Sequence, residues 1–427
     1  MAFRFVHAAD IHLDSPLRSL ALRDPAAAAL VGDATREALR RIVDLCLEEQ
    51  ADALVLAGDL YDGAQTSMKT ALFLAGELRR LDEAGVRVYL IRGNHDAASR
   101  ITRELSLPPN VHVFDGRATP VEAPRPPGAT PVFIHGVSFA QPHAPESLLP
   151  KFRPPVHGAI NIGVMHTSLG GAEGHDAYAP CALADLDAHG FDYWALGHIH
   201  KRSVHRGRSV IVMPGNPQGR DINEPGPRSV TLVAIGDDRS VTLEERVTSV
   251  AEFARAEVDL TGVDSRAGVN ARLHEALAAL RAGVASPYLL ARLRLGGATP
   301  LAGWARRDAD RLLGEAMEAA QRLEGCFIDR LEISPQLREP AAPAGDGADP
   351  RHELAAIVES QVLASPAFAN VARGLLDAIV PQLPAELRDA FDPGAEEGRA
   401  ALLAELAREG AAETLAHLAA EDEGAGD

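Results

Sequence analysis

The chain has 427 residues, enough for two or three domains with sizeable cores, and its formal net charge is −18 at pH 7. This acidity is a poor match to a nucleic-acid-binding protein, because phosphate contacts normally draw on clustered Lys and Arg. Aromatic residues make up only 4% of the chain, which argues against a stacking platform for single strands. Three widely spaced cysteines fit a reduced cytoplasmic protein, and no apolar run approaches the ~20 residues that span a bilayer.

The first 110 residues alternate apolar runs of strand length with amphipathic stretches of helix length. In chain order the pattern predicts a strand, a helix, a buried strand, a second helix and a third strand: Phe3–Ala9, Asp33–Gln50, Ala53–Ala57, Ala64–Glu83 and Val86–Ile91. This alternation is typical of an α/β fold in which helices join parallel strands. Because the first strand begins almost at the N-terminus, the sequence predicts no signal peptide.

After Asn110 the pattern changes to strands with few helices. The segments that fit strands are Val111–Phe114, Pro131–Phe139, Ile160–His166, Tyr193–Leu196, Ser209–Met213, Val230–Ile235 and Val241–Val247. Two runs rich in Pro and Gly, 124–128 and 214–219, predict turns, the second beside the functional site. Residues 1–250 are therefore predicted to form one α/β domain.

The rest of the chain divides into three further segments. Residues 251–335 predict a small α+β domain with alternating strands and helices: Val258–Leu260, Gly268–Ala282, Tyr288–Leu295, Arg307–Leu323 and Phe327–Ile333. Residues 336–352, rich in Pro, Ala and Gly, predict a flexible linker. Residues 353–427 predict acidic helices that dock on a partner, although packing on their own chain remains an alternative.

Side chains that can carry chemistry follow five of the predicted strands. They are Asp10 and His12, then Asp59, then Asn94, His95 and Asp96, then His166, and finally His198 and His200. Layered α/β proteins place their chemistry in the loops after strands, so we expect these side chains to converge. Oxygen and nitrogen ligands without thiolate suit hard or borderline divalent metals such as manganese, and their number is sufficient for two ions.

Spacing within the motifs adds two geometric expectations. In Asp10-x-His12 and His198-x-His200 the residues are two apart, so on an extended strand end each pair would point the same way and chelate together. A glycine directly precedes a ligand in three places: Gly58, Gly93 and Gly197. A missing side chain there lets the backbone turn sharply and approach an ion or phosphate.

Read as D-x-H, G-D, G-N-H-D, H and G-H-x-H, these residues resemble the signature of the calcineurin-like metallophosphoesterases over roughly the first 250 residues. Within that superfamily, the segments Ala-Asp-Ile-His-Leu-Asp14, Ala-Gly-Asp59-Leu-Tyr-Asp62 and Gly-His198-Ile-His200 resemble the SbcD-type DNA repair exonucleases, in particular their YhaO-like bacterial branch. The resemblance implies a four-layer β-sandwich flanked by helices, then a small α+β capping domain and C-terminal helices.

Carried over to these positions, the resemblance implies two divalent metal ions, Mn²⁺, bridged by Asp59. The ligands of the first ion would be Asp10, His12, Asp59 and His200, and those of the second Asp59, Asn94, His166 and His198. His95 would contact the scissile phosphate or protonate the leaving oxygen, and Asp96 would orient its imidazole. Many family members carry a second active-site histidine three residues after the bridging aspartate, where this chain has Asp62.

Basic residues cluster just after the last motif. Lys201, Arg202 and Arg206 are the candidate DNA contacts, because a basic rim beside two cations attracts a polyanion locally despite an acidic whole. The alternative is a compositional bias toward Arg and Ala, as in chains from GC-rich genomes. Both readings stay open at this point.

The resemblance implies a manganese-dependent DNA phosphodiesterase that digests duplex ends 3′ to 5′, with endonuclease activity on single strands or hairpins as a further expectation. It also implies a homodimer, partnered by an SMC-like coiled-coil ATPase of the SbcC or YhaN type. One alternative is a phosphoesterase for phosphoproteins or small molecules; another is a scaffold subunit with a vestigial metal site. Phosphoprotein phosphatases carry an arginine near the bridging aspartate that this chain lacks, which favours DNA.

Overall fold

The computed structural model describes residues 1–15, 32–61, 67–98, 107–170, 178–334, 336–337, 350–382 and 396–423. Most of the predicted linker lies outside these residues, and so does Asp62. By internal packing the chain divides into two compact units. The first comprises Met1–Ala254 with Ala282–Leu290, and the second comprises Arg255–Arg281 with Ala291–Asp427.

The first unit is built on two six-stranded sheets. Its strands are β1 Phe3–Ala8, β2 Ala53–Ala57, β3 Arg87–Ile91, β4 Val111–Val113, β5 Val121–Ala123, β6 Val132–Val137, β7 Ile160–His166, β8 Tyr193–Gly197, β9 Ser203–Arg206, β10 Val210–Met213, β11 Ser229–Ile235 and β12 Val241–Val247. Its α-helices are α1 Ala34–Glu48, α2 Met68–Glu83, α3 Asn94–Ala98 and α4 Leu183–His189.

Both sheets have parallel central strands, with antiparallel strands added at one edge of the first sheet and at both edges of the second. The first has the order β12-β11-β1-β2-β3-β4, in which β1 to β4 are parallel and β11 and β12 are added antiparallel. The second has the order β5-β6-β7-β8-β10-β9, with β6, β7, β8 and β10 parallel and both edges antiparallel. The carboxyl ends of the central strands in each sheet therefore deliver their loops to a common edge.

The core explains why the central strands are apolar on both faces. In β2, Val55 packs between the two sheets, whereas Leu54 and Leu56 pack against α1 and α2 on the outer side. The outer face of the second sheet is covered in the same way, with Leu186 of α4 against Trp194 of β8. Helices, sheet, sheet and helix form four layers, so the predicted α/β sandwich is confirmed.

The sequence missed four short elements of this unit. They are β5, β9, α3 and α4, which are only three to seven residues long. Segments this short offer too few residues to establish a period of 2 or 3.6, so pattern alone does not identify them. The predicted turns at 124–128 and 214–219 do lie between strands.

Beyond β12 a three-stranded sheet of order β13-β14-β15 follows. Its strands and helices are β13 Ala251–Asp259, α5 Arg266–Ala282, β14 Tyr288–Gly296, α6 Ala302–Arg307, α7 Ala309–Gln321 and β15 Cys326–Ile333. Two predictions are corrected. The first strand is nine residues long and starts at Ala251, and a helix that the sequence does not predict, α6, precedes α7, which lies within the predicted range Arg307–Leu323.

The C-terminal region is helical, as predicted. It contains α8 Pro350–Ile357, a π-helical turn at Val358–Leu363, α9 Pro366–Ile379, a 3₁₀ turn at Val380–Gln382 and α10 Glu396–Glu423. The hydroxyl of Ser365 accepts a hydrogen bond from the backbone N–H of Phe368 and thus caps α9. Among the described residues no single helix meets the length and hydropathy needed to cross a membrane, although the bent pair Glu353–Leu363 and Pro366–Gln382 meets them jointly.

Candidate metal centre

All five ligand-bearing motifs lie at the carboxyl ends of parallel strands in the two sheets. Asp10 and His12 follow β1, Asp59 follows β2, and the Asn94 motif follows β3. His166 is the last residue of β7, and the two histidines of the last motif follow β8. The two sheets thus bring together side chains that are up to 190 residues apart in sequence.

The first ligand group contains Asp10, His12 and His200, whose ligand atoms all lie within 4.8 Å of one another. The Nε2 atoms of His12 and His200 are 3.1 Å apart. Two imidazole nitrogens at this distance cannot both carry a proton, because two N–H groups would then face each other. When neither nitrogen is protonated, both lone pairs can bind one cation, so the three side chains of this group fit a metal ion.

The second group contains Asp59, His166 and His198, again with ligand atoms within 4.8 Å of one another. Nε2 of His166 lies 3.3 Å from Oδ2 of Asp59 and 3.0 Å from Oδ1 of Asn94. The Nδ1–H of His166 donates to the carbonyl of Ala57 at 2.9 Å. The other ring nitrogen, Nε2, therefore faces the side-chain oxygens of Asp59 and Asn94. Buried oxygen and nitrogen donors of this kind suit a divalent cation.

Electrostatics in the second group favour a positive charge. Burial alone would lower the pKa of His166, but the neighbouring carboxylates of Asp59 and Asp10 raise that pKa to about 9. Burial opposes the charge on Asp59 too, yet the same histidine lowers the pKa of its carboxyl. A fully buried imidazolium held by carboxylates marks a site where a metal ion can replace the proton.

One expectation about the motifs is corrected. His198 and His200 do not chelate a single ion together, because His198 belongs to the second group and His200 to the first. The expectation assumed extended backbone, but β8 ends at Gly197 and His198 has a φ of 105°. Asp10 and His12 do share a group, although with left-handed backbone at φ 53° and 45° rather than an extended strand end.

Four ligands have left-handed backbone: Asp10, His12, Asp59 and His198. Such conformations in residues other than glycine cost about 1–3 kcal/mol each and persist where surrounding contacts impose them. The contacts are visible here, since the N–H of His198 donates to both carboxylate oxygens of Asp10 at 3.0 Å. The same carboxylate thus holds the β8 loop while it faces its own ligand group.

The three glycines before ligands are required by crowding around the ligand side chains. A Cβ on Gly93 would lie 2.1 Å from Oδ1 of Asp59, and one on Gly197 would lie 2.2 Å from the carbonyl of Ala57. Gly58 has a φ of 94°, and a Cβ there would lie 2.7 Å from Nδ1 of His166. The glycines therefore approach ligand side chains, and at Gly197 also the backbone at the end of β2, rather than an ion or phosphate.

His95 and Asp96 occupy different environments. The side chain of His95 borders the adjoining cavity, its ring lies 5.1 Å from that of His12, and its backbone N–H donates to Oδ1 of Asp59 at 3.0 Å. Asp96 is buried, and its carboxylate accepts the backbone N–H groups of Leu60, Tyr61 and Gly93 at 3.0 to 3.1 Å.

Asp96 therefore ties the loop after β2 to the loop after β3, a role that sequence spacing did not predict. Burial and the negative charge of Asp59 raise the pKa of the Asp96 carboxyl to about 7, although the three backbone amides that donate to it oppose that shift. The sequence had assigned Asp96 to orient the imidazole of His95, and that role stays a prediction.

Glu224 is a further site residue that the sequence analysis missed. Its Oε1 lies 2.6 Å from Nδ1 of His200, on the ring edge opposite the metal-facing Nε2. Its Oε2 accepts hydrogen bonds from the side-chain amide of Asn216 at 2.7 Å and the backbone N–H of Arg220 at 2.8 Å. Burial would raise the pKa of Glu224, but its contacts with His200 and Arg220 lower it to about 2.

A cavity of about 870 Å³ borders both ligand groups and contains Asp59, His95, His198 and His200 in its wall. The predicted loop after β10 contributes to the wall through Pro214 and Asn216. The basic residues of the wall are Lys201, Arg202, Arg220 and Arg228. Its volume lies within the range of roughly 300–1,000 Å³ that is usual for ligand sites.

The three candidate DNA contacts lie in different surroundings. Lys201 is exposed in the wall of the cavity. Arg202 also lines it, but its guanidinium contacts Glu245 at 3.3 Å and donates to Thr231 at 2.5 Å. Arg206 is exposed on β9 and is not among the residues of the wall. Contact of any of them with DNA stays a prediction.

Asp14 follows the first motif, and an aspartate at such a position often caps the next helix. Its carboxylate instead accepts two hydrogen bonds from Arg36 of α1, at 2.6 and 2.7 Å, and one from the hydroxyl of Thr70 in α2. Asp14 thus anchors the β1 loop to both helices. A cap on the segment 16–31 falls outside the described residues.

Two ligand groups of this composition at the edge of a double α/β sheet define a dinuclear metal-dependent phosphoesterase. Residues 3–202 match the family model of calcineurin-like phosphoesterases, and residues 253–335 match that of the middle domain of the metallophosphoesterase YhaO. A Bacillus subtilis (strain 168) protein described as an uncharacterized metallophosphoesterase YhaO is 33% identical over 321 residues, 75% of this chain and 78% of that protein. The chain belongs to the YhaO family of calcineurin-like metallophosphoesterases.

More distant relatives include the DNA double-strand break repair protein Mre11 of Methanopyrus kandleri, 26% identical over 234 residues. That match covers 50% of this chain and 49% of the archaeal protein, so the chain spans about half the length of this relative. Among solved structures, a dimetal phosphatase from Danio rerio is 13% identical, with a TM-score of 0.38 over 58% of this chain and 96% of that one.

Proposed function

We propose that the chain is a manganese-dependent DNA phosphodiesterase of the cytoplasm, a 3′ to 5′ exonuclease on duplex ends that also cuts single strands or hairpins. The observation that carries the proposal is the cavity, which borders both ligand groups and has basic residues in its wall. Through this opening a phosphodiester can reach the ligand groups. The distant similarity to proteins named for DNA double-strand break repair supports DNA as the substrate.

The residues fit two ions in a definite arrangement. Asp10, His12 and His200 would hold one, and Asp59, His166 and His198 the other, with Asn94 beside the second. Such a pair of ions activates a water molecule and stabilises charge on the attacking and leaving oxygens of an in-line displacement. Carboxylate and imidazole donors without a thiolate suit a hard or borderline divalent ion, and manganese is the ion proposed here.

His95 is the group placed to act on the substrate. His95 lines the cavity, and its backbone N–H donates to Oδ1 of Asp59 at 3.0 Å. An imidazole at this position can contact the scissile phosphate and deliver a proton to the leaving 3′ or 5′ oxygen. His95→Ala removes the imidazole and keeps the backbone N–H that donates to Asp59.

The test is cleavage of labelled duplex and hairpin DNA by the purified protein with Mn²⁺, beside bound metal measured by mass spectrometry. His95→Ala is expected to lower the cleavage rate by about 100-fold or more, the size of a general acid contribution, with both ions retained. His143→Ala, which removes an exposed histidine outside both ligand groups, should cleave like the parent. Full cleavage by His95→Ala would refute this role, and no cleavage by the parent would refute DNA as substrate.

The C-terminal helices support the proposal that an SMC-like coiled-coil ATPase is the partner. Val371, Leu375 and Ile379 of α9 are 64%, 60% and 52% exposed and lie on one face at a spacing of four residues. Such an apolar stripe is the usual contact of a helix with a partner helix. Leu375→Glu should weaken capture of the purified ATPase by about tenfold or more, whereas Arg373→Ser on the same helix should not. Equal capture by both variants would contradict this docking surface.

The homodimer that the resemblance implies has its best candidate surface on α2. Met68 and Leu72 of this helix are 50% and 63% exposed and lie one turn apart. A charge in a packed apolar interface opposes association, so Leu72→Glu should shift the protein to monomers in analytical ultracentrifugation. Lys69→Ser is the matched control on the same helix. A dimer that survives Leu72→Glu would exclude this surface.

A further inference from the structure

We infer that Glu224 is a positioning residue for the first ligand group, where it fixes the imidazole tautomer of His200 that can bind a metal ion. The inference concerns the dinuclear site itself and does not depend on DNA as the substrate. The inference depends on the different contacts of the two carboxylate oxygens of Glu224. One oxygen contacts His200, and the other accepts hydrogen bonds from the loop that contains Glu224.

The contact to His200 determines the tautomer. A carboxylate only accepts hydrogen bonds, so Oε1 of Glu224 at 2.6 Å requires a proton on Nδ1 of His200. With Nδ1 protonated, the neutral ring has its lone pair on Nε2, which is the atom that lies 3.1 Å from Nε2 of His12. Glu224 therefore directs the metal-binding lone pair of His200 into the first ligand group.

A second group near the same nitrogen does not compete. Nη2 of Arg220 lies 3.4 Å from Nδ1 of His200 and 3.6 Å from Oε1 of Glu224. Oε1 of Glu224 is 0.8 Å closer to Nδ1 than the guanidinium is, and Arg220 pairs with the same carboxylate. The positive charge on Arg220 thus supports an ionised Glu224.

The other oxygen of Glu224 faces two donors, the side-chain amide of Asn216 and the backbone N–H of Arg220. This arrangement makes Glu224→Gln an informative change. The amide oxygen of the new side chain is expected to face the two donors, and its NH₂ must then point at Nδ1 of His200. An amide N–H there requires Nδ1 to accept, which moves the proton to Nε2 and blocks the metal-binding lone pair.

The alternative role is structural, because Glu224 also holds its own loop together. The two roles predict opposite orders of effect for two variants. Glu224→Gln keeps an acceptor for Asn216 and Arg220, so a purely structural role makes it milder than Glu224→Ala. If Glu224 sets the tautomer, Glu224→Gln is at least as harmful to metal binding as Glu224→Ala.

The experiment is calorimetric titration of the full chain with Mn²⁺ alone, beside nitrogen NMR of the histidine rings in metal-free protein. In Glu224→Gln we expect one ion to bind as in the parent and the other about 10- to 100-fold more weakly, with the proton of His200 on Nε2. Asp221→Asn, the same loss of charge in the same loop, should bind both ions normally.

Three results would overturn the inference. They are parental binding of both ions by Glu224→Gln, a milder effect of Glu224→Gln than of Glu224→Ala, and an equal loss in Asp221→Asn. None of these depends on cleavage, so a protein that fails to cut DNA but shows the expected titrations would refute the proposed substrate and leave the role of Glu224 intact.

Discussion

Gly93→Ala tests how tightly the second ligand group is packed. A Cβ at this position would lie 2.1 Å from Oδ1 and 2.8 Å from the backbone nitrogen of Asp59, whereas ordinary contacts begin at 3.4 Å. The carboxylate would have to retreat by about 1.3 Å, the difference between 3.4 and 2.1 Å. Metal–ligand distances tolerate about 0.2 Å, so the displaced Asp59 can no longer bind as the parent does.

The cost to folding should be moderate by comparison. Forcing an extra methyl group into a packed site typically costs about 1–3 kcal/mol. We therefore expect Gly93→Ala to fold, to unfold at a lower temperature in metal-free buffer, and to gain much less stability than the parent on addition of Mn²⁺. Thermal unfolding with and without the metal, together with a direct titration, measures both effects.

The matched control is Gly76→Ala in the middle of α2, where a Cβ would meet nothing within 4 Å. The same substitution there should stabilise the protein by about 0.5–1 kcal/mol, because alanine restricts the unfolded chain and favours the helix. The two variants thus have effects of opposite sign. Parental binding of two ions by Gly93→Ala would refute the crowding argument.

Two further predictions concern groups outside the ligand set. Burial lowers the pKa of His7 from 6.5 to about 3. As the pH falls, the His7 imidazole is therefore protonated in the unfolded chain before it is protonated in the folded protein. The stability that neutral His7 contributes is complete above pH 6.5 and falls by about 1.4 kcal/mol per pH unit down to pH 3. In denaturant titrations the advantage of the parent over His7→Gln should shrink between pH 7 and 5, and a constant difference would contradict this. Burial also raises the pKa of the Cys46 thiol beyond its usual range, and it raises the pKa values of Cys181 and Cys326 to about 11. A thiol reagent at pH 8 should therefore label these three buried cysteines only after denaturation. Rapid labelling of the native protein would exclude their burial.

The strand-end motifs could be read from sequence because two rules act together at those positions. Buried parallel strands are apolar on both faces, so a polar side chain such as Asp59 just beyond Ala53–Ala57, or His166 at the end of its strand, stands out from its surroundings. Parallel strands also align their carboxyl ends, so the motifs must meet at one edge. His166 was the least distinctive ligand in sequence, yet it lies fully buried between Asp59 and Asn94.

The division of the ligands into two groups could not be derived from spacing. Residues two apart share a side only on extended backbone, and His198 leaves the strand with a positive φ. Glu224 was missed for a related reason. It lies 24 residues after His200, in a loop rich in charged residues, where sequence does not distinguish a buried acid from a solvated one.

Errors in the later elements also have physical causes. Strand β13 was predicted as three residues, because residues 251–257 contain only one large apolar side chain, Phe253, among Ala, Glu and Arg, which have low strand propensity. The helix predicted over Arg307–Leu323 corresponds to α7, which covers Ala309–Gln321. The preceding α6 was missed because its six residues are too few to establish a helical period.

The central claim is that two metal ions bind at the joint edge of the two sheets. The most direct test is diffraction at the manganese absorption edge from crystals of the full chain grown with Mn²⁺. Two anomalous peaks are expected, roughly 3.5–4 Å apart, one at Asp10, His12 and His200 and the other at Asp59, His166 and His198. A single peak, or peaks away from these side chains, would contradict the account.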